Sequence, residues 1–133
     1  MECQNLYKAL AAAGAELRNP LNDGINPAFK GSRYATLGAV TSTVRPVLAK
    51  HGLSVLQFIE TPEPGRVTVR TRLAHASGEF VEASTTSSAG SNIQHLGGAI
   101  TYLRRYTLCG ILNIVGDDDD DAEGIVAPTR KEK

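Results

Sequence analysis

The chain of 133 residues has no tryptophan, one methionine and two cysteines, and aromatics make up only 5% of it. Cys3 and Cys109 stand far apart, without Cys-x-x-Cys spacing, and read as ordinary thiols of a reducing compartment. His51, His75 and His95 show no paired ligand spacing, and no His-Glu-x-x-His segment occurs, which argues against a zinc site. The Gly-x-x-x-x-Gly-Lys-Ser/Thr loop of nucleotide hydrolases is missing, as is a nucleophile elbow. No apolar run approaches a membrane span, because Gly14 and Glu16 interrupt the alanines after Lys8. The N-terminal residues, with acidic Glu2, do not have the pattern of a signal peptide. A cytoplasmic protein with no cofactor, no resident metal and no membrane partner is expected.

Net charge is absent too, but only in sum. Residues 1–116 carry 11 Lys and Arg against 7 Asp and Glu, a charge of +4. Residues 117–124 hold 6 acids and no base, including five consecutive aspartates from Asp117 to Asp121. The last nine residues return +2. A mildly basic body followed by an acidic block hints at a polyanion partner for the body. The body, residues 1–116, is long enough for one domain with a core. Residues 117–133 lack periodicity, contain Pro128 and read as a disordered tail.

Within the body the pattern is α+β. Leu6, Leu10, Ala13 and Leu17 recur at helical spacing, which predicts a helix over 4–18, ended by Asn19-Pro20. A loop rich in breakers follows from Asn22 to Pro27, then a basic and aromatic cluster of Phe29, Lys30, Arg33 and Tyr34. Leu37, Val40, Val44, Val47 and Leu48 mark a second helix that Pro46 should kink or restart, stopping at His51-Gly52. The mostly apolar run 53–59 reads as a buried central strand. Val67, Val69, Thr71 and Leu73 alternate with Thr68, Arg70 and Arg72, a half-buried strand with one arginine-bearing face. A hairpin at Ser77-Gly78 leads into a strand over 80–86. A three-residue loop pairs Leu73 with Val81, Thr71 with Ala83 and Arg72 with Glu82, which keeps the faces consistent. That register neutralises Arg72 and leaves Arg66 and Arg70 freer to meet an anion. A small polar loop at 87–92 precedes the longest helix, 93–112.

On this last helix Ile93, Leu96, Ile100, Leu103 and Thr107 share the side expected to face the core. Gly97, Gly98 and Thr101 lie opposite, flanked by Arg104 and Arg105. A phosphate chain can approach the backbone over such a floor and meet guanidiniums at its walls. Adjacent arginines also occur simply as a solvated face, and paired glycines as a packing device. Each glycine weakens a helix interior by ~1 kcal/mol relative to alanine, so two together point to close approach of something. Tyr102 and Tyr106, at the edge of the core side, are better suited to core or subunit packing than to base stacking. The aspartate run has oxygens for Mg²⁺ or Ca²⁺, yet consecutive carboxylates on a flexible segment do not converge on one ion.

Four segments resemble the Erf family of phage recombination proteins. They are Asn26-Pro27-Ala28-Phe29-Lys30-Gly31-Ser32-Arg33-Tyr34-Ala35-Thr36-Leu37; Val44-Arg45-Pro46-Val47-Leu48 with His51-Gly52-Leu53; His75-Ala76-Ser77-Gly78-Glu79; and Gln94 to Gly98 running into Thr101-Tyr102-Leu103-Arg104-Arg105-Tyr106-Thr107-Leu108 and the aspartates. The resemblance spans residues 6–121. It implies a fold similar to the eukaryotic annealing proteins, with N-terminal helices and a three-stranded antiparallel β-β-β sheet packed on a long C-terminal helix. It also implies ATP-independent binding of single-stranded DNA and annealing of complementary strands to a duplex, by a homo-oligomeric ring or helical filament. A phage exonuclease or a host single-strand-binding protein would be further partners. Arg104 and Arg105 match the paired basic residues of that group's long helix. Lys30, Arg33, Arg66 and Arg70 join them on charge and location alone. The alternatives are a metal-dependent nuclease using the aspartates and a structural oligomerisation module.

Overall fold

The structure, a computed structural model, describes residues 2–26 and 31–117. Helix α1 (Gln4–Glu16) is followed by two short strands, β1 (Gly24–Asn26) and β2 (Ser32–Tyr34), which pair antiparallel. Helix α2 (Leu37–Lys50) leads into the antiparallel sheet β3 (Leu53–Glu60), β4 (Arg66–His75) and β5 (Phe80–Ser88), ordered β3-β4-β5. Helix α3 (Ile93–Leu112) packs across β4 and β5. The fold is therefore α+β, with a β-β-β meander backed by a long helix.

The main core gathers Leu6 and Ala13 of α1, Val40, Val44 and Leu48 of α2, Leu53 and Leu73 of the sheet, and Leu108, Cys109 and Leu112 of α3. A satellite cluster at the other end of the sheet joins Val67 and Val69 to Leu103, flanked by Leu96, Ala99 and Ile100. The apolar face of β4 (Val67, Val69, Thr71, Leu73) thus spans both clusters.

The β4–β5 register is the expected one, pairing Leu73 with Val81, Thr71 with Ala83 and Arg72 with Glu82. Gly78 sits in the turn at φ +97°, where a side chain would be strained. Other expectations are corrected. The apolar run taken for a central strand is β3, an edge strand, and the arginine-bearing β4 is central. β4 tolerates that place because glutamates on both neighbouring strands meet its arginines, while Leu56 and Ile59 of β3 stay about half exposed. α2 runs unbroken through Pro46. Both Pro46 and Ser42, one turn back, are exposed, so the carbonyl freed by proline meets water. α1 stops at Glu16, because Leu17 is already extended.

The β1–β2 pair lies where only a loop was expected. Three-residue strands leave little periodicity to read, and these are held by tertiary contacts. The Tyr34 ring covers Gly24, where an added Cβ would sit 2.6 Å from the ring. Tyr34 also bridges to Asp117, and Ala35 N–H donates to Gly116 O at 2.6 Å. Glu79, in the β4–β5 turn, supplies the cap that the N-terminus of α1 lacks. Its carboxylate accepts from Leu6 N–H at 3.0 Å and Asn5 Nδ2 at 2.7 Å.

Candidate nucleic-acid interface

Helix α3 begins at Asn92, whose Oδ1 accepts from His95 N–H at 2.9 Å. Its sheet-facing side is close to the expected one: Leu103 and Thr107 are buried, and Leu96 and Ile100 half-buried. Ile93 is the exception at 79% exposed. The wheel alone misses a second buried side formed by Arg105, Leu108, Cys109 and Leu112. From Arg105 onward, α3 is covered on its sheet-distal side too.

Upstream that covering ends. Gln94, Gly97, Gly98 and Thr101 are exposed, and a Cβ added at either glycine would meet nothing within 4 Å. The glycines therefore do not serve close packing among the described residues. They leave α3 backbone open to an outside partner.

The two arginines part company. Arg105 is only 7% exposed. Its Nη1 donates to Asp117 Oδ1 at 2.8 Å, and its guanidinium lies 4.9 Å from the Tyr34 ring centre, 5.5 Å from Tyr102 and 5.2 Å from Tyr106. The expected floor with a free guanidinium on either side is not formed. The rotation of about 100° between neighbouring residues sends Arg105 under the β2 cover and Arg104 toward β3. Tyr102 and Tyr106 are exposed rather than core, and their hydroxyls share a hydrogen bond at 2.7 Å. That bond, with partial burial, holds the Tyr106 phenol well above its ordinary range. Burial pushes the Cys109 thiol up as well.

Arg104 lines a groove of about 620 Å³ between α2, β3 and α3. Thr41, Arg45 and Leu48 of α2 form one wall, Val55, Gln57 and Ile59 of β3 another, and Leu108 the base of the α3 side. Arg104 Nε donates to Gln57 Oε1 at 2.8 Å, while its Nη atoms have no partner among the described residues. Arg45 is exposed and likewise without a side-chain partner among them. On the helix, Gly97, Thr101, Arg104 and Leu108 form one stripe, so the exposed Gly97 and Thr101 stand in line with the α3 wall of the groove.

The remaining candidates lie elsewhere. Arg70 is not the freer arginine: its Nη1 pairs with Glu82 at 2.9 Å, its Nη2 with Glu60 at 3.2 Å, and it covers the Phe58 ring at 4.3 Å. Arg72 shares Glu82 at 2.6 Å. Side chains two apart on a strand share a face, so one glutamate reaches both. These carboxylates hold Arg70 above the usual guanidinium value and Glu82 below the usual carboxylate one. Arg66 is exposed without a side-chain partner among the described residues, but on the sheet face turned away from α3. Arg33 is exposed on β2 opposite Ile25. Lys30 lies outside the described residues, as do all of the acidic segment beyond Asp117. Arg45 was the residue the charge pattern did not single out. Its spacing from Thr41 and Leu48, one helical face, was the available signal.

Among the described residues no cluster of three metal-ligating side chains occurs, and no helix is long and apolar enough to cross a membrane. The family model of the ERF superfamily matches residues 6–133, the described fold and the acidic segment together. No curated protein matches the chain.

Proposed function

Because the chain belongs to the ERF superfamily, we propose that it binds single-stranded DNA by its backbone and anneals complementary strands without ATP, in phage or prophage recombination. The observation that carries this reading is the groove between α2, β3 and α3. It offers Arg45 and Arg104, which have no carboxylate partner among the described residues, and Arg104 stands on the same stripe of α3 as the exposed Gly97 and Thr101. Phosphates meet the guanidiniums, and the small residues let the sugar–phosphate chain lie close to the helix. The bases stay outward, where a second strand samples pairing.

One subunit offers few cations, so the reading includes assembly into a ring or filament that joins short grooves into a long one. Multivalency then multiplies weak contacts. The edges of β3 and β5, unpaired among the described residues, and the half-exposed Ile59 beside the groove suit contacts between copies.

Mixing complementary labelled oligonucleotides with the protein, without nucleotide or metal, tests the reading. Faster annealing than the protein-free rate is expected, reduced by Arg45→Ala with Arg104→Ala. An assembled wild-type protein that leaves the rate unchanged would sink it. Strand cleavage on adding Mg²⁺ would instead favour a nuclease built on the aspartates.

A further inference from the structure

A polar residue interrupts the apolar inner face of β3. Leu53, Val55 and Ile59 alternate along that face, and Gln57 stands among them. It lies opposite Thr71, a fully buried residue of β4. Its carboxamide is engaged on both sides. Nε2 donates to Thr71 Oγ1 at 2.9 Å and to the Arg104 carbonyl at 3.0 Å, and Oε1 accepts from Arg104 Nε at 2.8 Å. The flipped amide would set two donors against Nε–H, so the contacts fix one orientation. Gln57 thus grips both the backbone and the side chain of Arg104.

A guanidinium can take an oxyanion side-on, through Nε and one Nη, or end-on, through its two Nη atoms. Gln57 occupies the Nε–H, which closes the side-on fork and leaves the end-on fork for the groove. We infer that Gln57 is a positioning residue: it pre-sets Arg104 so that one phosphate of a nucleic-acid backbone is taken end-on by the two Nη atoms. The inference rests on the groove reading above. Its energetic basis is that an arginine already ordered before binding loses less side-chain freedom on meeting its anion.

Fluorescence anisotropy of a labelled oligothymidylate across a salt series, with urea unfolding of each variant, separates the two. Gln57→Leu is expected to weaken binding by roughly two- to tenfold with an unchanged salt slope, since Arg104 keeps its charge. In an Arg104→Ala background the same substitution should cost nothing more. Arg104→Lys should keep the slope and still lose affinity, because an ammonium has neither the Nε–H for Gln57 nor the fork. Gln57→Glu keeps the side-chain length and places a carboxylate beside the Arg104 guanidinium, at the loss of the bond donated to the Arg104 carbonyl, so it should lower the slope by about 0.7, as Arg104→Ala does. If Gln57→Leu unfolds the protein, the Gln57→Glu slope decides. Equal losses from Gln57→Leu with and without Arg104, or an unchanged slope in Gln57→Glu, overturn the positioning role. Wild-type affinity in Arg104→Ala at every salt concentration overturns the groove reading instead.

Discussion

Arg105 Nη1 and Asp117 Oδ1 meet at 2.8 Å, inside a ring of three tyrosines. The first aspartate of the acidic run therefore belongs to the fold, and it holds the end of the described chain against β2 and α3. Arg104, the preceding residue, faces a groove instead. Two adjacent arginines of one motif carry different work.

Removing one partner of a buried ion pair leaves the other uncompensated. Asp117→Ala should cost roughly 3 kcal/mol of stability, the low end for such pairs because Asp117 keeps some contact with water. Arg104→Ala should cost far less and act on DNA binding. Urea midpoints beside oligonucleotide affinities check this. An Asp117→Ala protein as stable as wild type would show that the pair does not brace the fold.

Arg45 and Arg70 differ in what already neutralises them. Arg45→Ala is expected to weaken single-stranded DNA binding and reduce the slope of log affinity against log salt by about 0.7. Arg70→Ala should leave the slope unchanged, since Glu60 and Glu82 already meet its charge. Equal slope losses in the two variants would remove the distinction.

At Gly97 and Gly98 an added methyl meets nothing within the fold. Replacing both with alanine should raise stability by ~1 kcal/mol per site, seen as a higher melting temperature. If a DNA backbone lies over this stripe, affinity should fall at the same time. A more stable double variant with full affinity would place the DNA elsewhere.

Glu79 caps α1 from the β4–β5 turn, and its carboxyl is held below the ordinary 4.5, chiefly by Leu6 N–H. The sign follows from the depressed folded-state value. The carboxylate contributes stability that is fully present above 4.5 and is lost as pH falls through the lower folded value. Unfolding midpoints followed below pH 4.5 should drop more steeply in the wild type than in Glu79→Gln. Glu16, held low chiefly by Lys50, Asp23, chiefly by Thr36 N–H, and Glu82, chiefly by Arg72, set the residual slope.

Periodicity placed the three helices and the β4–β5 register, because those segments bury one face and repeat it. Tyr34 and Arg105 show where that ends. Nothing local to Gly24 or Tyr34 encodes a strand; the pairing exists because an aromatic ring covers a glycine and a distant guanidinium meets that ring. The groove was legible only in part. Arg104 stood out by its neighbours, whereas Arg45 and Gln57 became part of the site when β3 proved to be an edge strand.

Spacing and alternation along the chain set the α+β class, the hairpin register and the basic character of the long helix, since they dictate which side chains share a face. Tertiary structure alone decided which arginines stay available. Charge is read from composition, but its neutralisation depends on carboxylates brought from other strands: Asp117 to Arg105, Glu60 and Glu82 to Arg70, and none among the described residues to Arg45 or Arg104.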